Sequence, residues 1–410
     1  MAKTLVYQLY PLAWPDGLKG MTKHLSRVAE LGADYVWLSP IYDSPLEDGG
    51  YDVADYKSIN KRFKKGCSFR EFVDRAHSIG LGVVMDLPIN HTSTRHRWFD
   101  AHPEYYCWSK VNHPGWRNLF NDDSAWQYLE SDDLYFLHLF HHTQADLNWF
   151  PAGKLNFHLV YEFQDIVDFW IRQGVDGFRI DFPQGINKDF EKMTLDLDDL
   201  LYGHKAVEVI NAIFDGREDL FLMMECFDPT MGDIVNYYTE NTSVNFVSNV
   251  LTKEEIARGG LEFLGLIERQ AKNPRYMLEL ESHDSPRFPS RGATPEDMIW
   301  SMFNSAAEGI CLYQGQELGL ENPTKSNLPD KKLLALDAQT SMRYIKGENI
   351  DALRPLSRAN ARIPIPLDEY SRQEQDPSSY LHLTKRWIQR WREDKIPRIY
   401  PSGTAHLVSD

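Results

Sequence analysis

Three carboxylates, Asp181, Glu225 and Asp284, stand at or near the ends of apolar runs: GFRIDF (177–182), FLMMEC (221–226) and YMLELESHD (276–284). Side chains two apart on a strand share a face, so Arg179 and Asp181 point the same way. A charge in such a run needs a partner or a task. Two carboxyl groups about 5 to 5.5 Å apart perform retaining hydrolysis of a glycosidic bond, one as nucleophile, the other as acid and then base. The nucleophile must be ionised, and Arg179 is expected to lower the pKa of Asp181. The acid must keep its proton near neutrality, which calls for apolar surroundings such as Met223, Met224 and Phe227 would give Glu225. Asp284, with His283 beside it, is suited to clamping sugar hydroxyls and stabilising an oxocarbenium-like transition state.

Carboxylates so far apart in sequence need a scaffold that gathers strand ends. Besides the three runs above, LVYQLY (5–10), YVWLSP (35–40), GVVMDLPI (82–89), VNFVSNV (244–250) and GICLYQG (309–315) are short and apolar. Amphipathic helix patterns such as MTKHLSRVAELG and SFREFVDRAHSIG lie between them. Continuous apolar strands alternating with helices predict a parallel sheet covered on its outer face, and eight of them predict a closed (β/α)₈ TIM barrel of the α/β class. Polar residues gather at the C-terminal ends of these strands, Asp86, Asn90 and His91 among them, where a barrel places its chemistry. The long interval 91–149 after the third strand is expected to be a small inserted domain. The stretch 316–377 after the eighth is expected to be an elaborated irregular loop, leaving 1–90 and 150–395 as the catalytic barrel and 396–410 as a tail.

The 60 acidic and 44 basic side chains give a formal charge of −16, which disfavours nucleic acid and anionic lipid as partners. No apolar run is long enough to span a membrane. The opening MAKTLVYQLYPLAW lacks a secretory pattern, so a cytoplasmic location is expected. Cys67, Cys107, Cys226 and Cys311 are widely spaced without a C-x-x-C, which argues for reduced thiols rather than zinc or disulfides. Many aromatics sit in polar stretches such as HRWF, EYYCW, HPGWRNLF and SAWQY. Exposed aromatic faces suit sugar rings, while core packing accounts for most residues of this kind.

DLPINH (86–91), GFRID (177–181), MMEC (223–226) and ESHDSPR (281–287) occur in the order, and on the strands, of the four signature regions of the α-amylase family, glycoside hydrolase family 13, which the chain resembles. It is most similar to the oligo-1,6-glucosidase and α-glucosidase branch, with GYDVADY (50–56), QGQELG (314–319) and NARIP (360–364) in support. The resemblance implies that Asp181 is the nucleophile, Glu225 the general acid/base and Asp284 the transition-state stabiliser. It implies that His91, Arg179 and His283 hold the glucosyl unit, that Tyr51 stacks beneath it, and that Asp52 pairs with Arg362 to close the pocket behind the non-reducing end. Exo action on short α-glucosidic oligosaccharides follows. Asp52 has a second reading, as the cap of a turn in SPLEDGGYD.

Several stretches depart from the family pattern. PLAWPDGLKG offers only Asp16 where relatives carry a metal loop, and calcium takes about 6 to 8 oxygens; neither metal nor cofactor is expected. Phe182 follows the nucleophile where relatives have smaller side chains, so it is a candidate substrate-binding residue and linkage preference does not carry over. NARIPIPLD replaces the usual pattern near the acceptor side. The residues stop shortly after the last barrel helix without the family's C-terminal β-sandwich, as a truncation or as a natural barrel lacking that module, and monomer and homodimer both stay open. A transglucosidase or a sucrose or maltose isomerase would share the same triad, whereas a non-catalytic family scaffold would lack triad residues and carry a membrane segment.

Overall fold

The computed structural model describes residues 3–190, 192, 194, 200–201, 203–226, 233–249, 273–292, 294–305 and 307–394. Phe227 and the expected tail 396–410 lie outside the described residues. Eight strands close into a barrel: β1 (Thr4–Leu9), β2 (Tyr35–Leu38), β3 (Gly82–Pro88), β4 (Gly177–Asp181), β5 (Phe221–Cys226), β6 (Phe246–Asn249), β7 (Tyr276–Glu279) and β8 (Gly309–Tyr313). Each pairs in parallel with its sequence neighbours, and β8 returns to β1, as the apolar runs predict.

Period-two alternation divides each strand between two cores. Val6, Trp37, Val84, Met223, Met277 and Cys311 face inward and pack together inside the barrel. Their neighbours Tyr7, Val36, Met85, Met224, Leu278 and Ile310 face outward, into the main core beneath the helices. A Cβ on Gly177 would lie 2.0 Å from the Phe221 carbonyl oxygen, so the pairing of β4 with β5 needs glycine there.

The helices are punctuated by their own sequences. Phe69–Ser78 opens with a Ser68/Glu71 capping box and Pro295–Phe303 with a Thr294/Asp297 box, while Asn156 and Ser379 cap Phe157–Arg172 and Tyr380–Arg392. Each cap satisfies helix N–H groups that would otherwise lack partners, a contribution of about 1 kcal/mol. None of the described helices is long and apolar enough to cross a membrane.

Between β3 and β4 the chain forms a three-stranded antiparallel sheet, Trp108–Ser109, Leu134–Leu137 and Trp126–Leu129, beside a ribbon of His91–Ser93 with Gln144–Asp146. Its aromatics are mostly internal: Trp98, Trp116 and Trp126 are buried, so they pack this segment rather than present faces to sugars. The stretch after β8 departs from the irregular loop expected of it. It holds the helices Asp330–Leu336, Ala338–Ile345, Ile350–Leu353 and Leu367–Gln375, and Leu328, Leu333 and Ala359 form a small core of its own.

Candidate functional site

β4 ends on Arg179 and Asp181, two residues apart on the inner face, and the parallel register sets them beside Asp86 of β3 and Glu225 of β5. The Arg179 guanidinium is buried and shared by all three carboxylates. Nη1 lies 3.0 Å from Asp86 Oδ1 and 2.5 Å from Asp181 Oδ1, and Nη2 lies 2.9 Å from Glu225 Oε2. Asp86 is fully buried and also accepts hydrogen bonds from the Tyr51 hydroxyl (2.9 Å) and from Trp37 Nε1 (3.1 Å).

Arg179 pairs with Asp181 as expected, but the net effect on the carboxyl is the reverse of that predicted. Burial pushes Asp181 well above the ordinary carboxylate range. Arg179 opposes this, while Glu225, through charge and a hydrogen bond, and Asp86 reinforce it. One cation among three crowded carboxylates does not compensate for their desolvation. Asp181 and Glu225 meet the same guanidinium, so their charges act on each other at short range.

The apolar setting expected around Glu225 also differs. Met223 shares its inward face, but Met224, one residue away, points into the outer core. Glu225 Oε2 instead meets Arg179 and accepts the backbone N–H of Phe182 at 3.2 Å. Phe182 aims that N–H into the site from left-handed backbone, φ 37°. Its side chain turns away into an aromatic cluster with Trp116 and Trp126, edge-on to Phe140 at 5.0 Å. Phe182→Ala is therefore expected to lower the unfolding free energy by about 3 kcal/mol in urea titration, through the cavity left in that cluster.

Beyond β7, a turn presents His283 and Asp284. The His283 ring stacks with Tyr51 (centroids 5.1 Å apart, planes at 7°) and with Tyr10 (5.6 Å, 18°), and Gln8 lies 2.9 Å from its Nδ1. Asp284 Oδ2 is 2.9 Å from His283 Nε2, while Oδ1 accepts from Arg358 (3.0 Å) and Arg362 (2.8 Å). Burial opposes ionisation of Asp284, but His283, Arg358 and Arg362 outweigh it and hold the carboxyl well below the usual range. At 26% exposure its side chain is more open than those of Asp181 and Glu225, each 9%. His91 is buried against Phe140 and near Gln144, and burial lowers its pKa, so the ring is neutral at pH 7.

The expected Asp52–Arg362 pair is not formed. Asp52 is buried and accepts from the Ser44 hydroxyl (2.8 Å) and from the N–H groups of Glu47 (2.9 Å) and Asp48 (3.3 Å), so it caps the turn. Arg362 donates instead to Asp284 and to the His283 and Leu336 carbonyls. The residue that spans the gap is Arg358, which sequence reasoning passed over. It reaches Asp48 (3.2 Å), Asp284 (3.0 Å) and Asp337 (3.1 Å). The signal available was a second arginine four residues before Arg362, in SRANAR. Lys188 was also passed over; it is buried between Asp146 (3.1 Å) and Asn90 (2.8 Å) and ties the inserted segment to the turn after β4.

The chain matches the catalytic-domain model of the α-amylases over residues 14–389. It is 36% identical to the oligo-1,6-glucosidase of Parageobacillus thermoglucosidasius, over 90% of this chain and 75% of that one. It is 31% identical to the trehalose-6-phosphate hydrolase of Bacillus subtilis, over 89% and 74%. The crystal structure of the Bacillus licheniformis trehalose-6-phosphate hydrolase aligns with a TM-score of 0.80 at 26% identity, covering 97% of this chain and 84% of that one.

Proposed function

The chain belongs to the α-amylase family of glycoside hydrolases, and from that premise we propose that it is a retaining, exo-acting α-glucosidase that hydrolyses short α-glucosidic oligosaccharides. One observation carries the reading: Asp181 and Glu225 meet opposite arms of one guanidinium, Asp181 on Nη1 and Glu225 on Nη2. Two carboxyls gathered on one guanidinium suit the close spacing of a retaining pair rather than the wider spacing that admits a water in an inverting one.

In the proposed reaction Asp181 attacks the anomeric carbon as Glu225 gives its proton to the departing glycosidic oxygen. The bond to the leaving group breaks and a glucosyl ester of Asp181 forms. Glu225 then takes a proton from water, whose oxygen displaces Asp181 and releases glucose with its original anomeric configuration. Asp181 must be ionised to attack, and the Arg179 guanidinium at its side favours that state. Asp284, held ionised, faces the positive charge that develops on the ring.

Exo action is supported by the Arg358–Asp48 ion pair, which joins the loop after β2 to the segment after β8 across one side of the site. Arg358→Ala would leave Asp48 without its cation and open that side. The expected result is a loss of roughly 30-fold or more in kcat/KM for a disaccharide, with a smaller loss for longer oligosaccharides, measured as a ratio of the two. The reading as a whole is tested by incubating the protein with isomaltose, maltose, sucrose, trehalose and trehalose 6-phosphate and identifying the products. Glucose released as the α-anomer is expected. An isomerised disaccharide or longer oligosaccharides would establish transfer to a sugar, and no turnover of any of them would overturn the proposal.

A further inference from the structure

Gln8 has no part in the reaction just derived, yet it is fully buried near the C-terminal end of β1, where the barrel opens. Val6, two residues earlier, belongs to the inner core, so the alternation turns Gln8 inward as well. Its amide nitrogen Nε2 lies 3.0 Å from Ser39 Oγ, just past β2, and 2.9 Å from His283 Nδ1, beyond β7. An amide carries two N–H hydrogens and one oxygen, and here both neighbours lie on the nitrogen. Donating one hydrogen to each leaves only Oε1 without a partner among the described residues. Turning the amide over would strand both N–H groups instead, which costs more than one unpaired acceptor.

Nδ1 of His283 therefore accepts, and the neutral ring carries its single proton on Nε2. The other side of the ring agrees. Nε2 lies 2.9 Å from Asp284 Oδ2, and a bare nitrogen there would set its lone pair against the carboxylate. Stacking of the ring between Tyr51 and Tyr10 fixes its plane, but stacking alone does not choose which nitrogen bears the proton.

We infer that Gln8 is a positioning residue of this site: by donating to Nδ1 it selects the Nε2–H form of His283, so that Asp284 meets an N–H rather than a lone pair. Its consequence for turnover rests on the glycosidase reading above, in which Asp284 faces the charge that develops on the sugar ring. The approach of Nε2 to Oδ2 is short but off the hydrogen-bond line, which leaves the N–H to be shared between the carboxylate and a sugar hydroxyl beside it. Ser39 anchors the amide from its other side, so groups from β1, the end of β2 and the turn after β7 together fix the place of one proton.

The proton can be observed without turnover. In protein labelled with 15N-histidine, long-range 1H–15N correlations at pH 7 distinguish a protonated ring nitrogen from a bare one, and His283 is assigned by the signals missing from His283→Gln. A bare Nδ1 and a protonated Nε2 are expected. A protonated Nδ1, with or without a proton on Nε2, overturns the inference. Gln8→Glu keeps the shape but replaces the donor with an acceptor, so both ring nitrogens should become protonated, Nδ1 toward the new carboxylate and Nε2 toward Asp284. Gln8→Met fills a similar volume with no polar hydrogen, and it serves where the glutamate variant does not fold. Without the donor the two neutral forms should exchange, and the two nitrogen signals should move toward each other. Unchanged His283 signals in a folded variant overturn the inference.

In turnover of an aryl α-glucoside, Gln8→Met should lower kcat by roughly tenfold or more. KM should change by less than about threefold, because Asp284 acts on a charge that only the transition state carries. A kcat equal to that of wild type, or a loss confined to KM, overturns the role given to Gln8. If wild type turns over no α-glucoside while residue 8 still controls the His283 signals, the placement of the proton stands and the functional reading falls instead.

Discussion

Asp181→Ala is expected to reduce kcat on an aryl α-glucoside by at least about 10⁴-fold while leaving the fold intact. The loss is chemical: without the carboxylate no covalent intermediate can form, and water has no base on the far side of the ring. Arg179 would keep Asp86 and Glu225 as partners, so its buried charge stays compensated. Burial and two neighbouring carboxylates disfavour the ionised form of Asp181, so removing it should leave the melting temperature unchanged or raise it, a common result where a group is placed for activity. Azide, small enough for the space vacated, should restore part of the rate and yield a glucosyl azide of inverted configuration. A near wild-type rate in the variant would show that another residue is the nucleophile.

What could be read from the sequence follows from how local each signal is. The eight strands were legible because each is a continuous apolar run between helix patterns. Asp181, Glu225 and Asp284 were legible because they interrupt or end such runs at the side where a barrel does its chemistry. Partner choice was not. Asp52 and Arg362 occur in two short motifs, yet Asp52 satisfies itself within eight residues through Ser44, Glu47 and Asp48, and the arginine goes to Asp284. Sequence spacing carries no information on whether a buried carboxylate finds N–H groups in its own turn or a cation 310 residues away, as Asp48 does. Met224 illustrates a smaller failure, since proximity to Glu225 in sequence places it on the opposite face of the sheet. The direction of the Asp181 shift was misjudged for a related reason: Arg179 lies two residues away in sequence, whereas the burial that outweighs it comes from closing the barrel, with carboxylates from β3 and β5 adding to it.

Arg179→Met should have the largest effect on stability. Methionine fills much of the space and keeps contact with Trp37, over whose ring the guanidinium now lies at 5.0 Å, but it leaves Asp86, Asp181 and Glu225 without their shared cation. Stranding buried charges in this way is expected to lower the unfolding free energy by about 3 to 5 kcal/mol at neutral pH, and to abolish turnover because the ionised nucleophile loses its counter-charge. The sign of the pH dependence distinguishes this cause from lost packing. Burial already raises the folded-state pKa of Asp86 and Asp181 with Arg179 in place, and its removal raises them further. The folded variant then binds more protons than the unfolded chain over a wider range, so its stability falls more steeply as pH rises. The difference between wild type and Arg179→Met in urea titration should therefore be smaller at pH 5 than at pH 8. An equal difference at both values would mean that Arg179 stabilises the barrel through shape, and the electrostatic account of the site would fail with it.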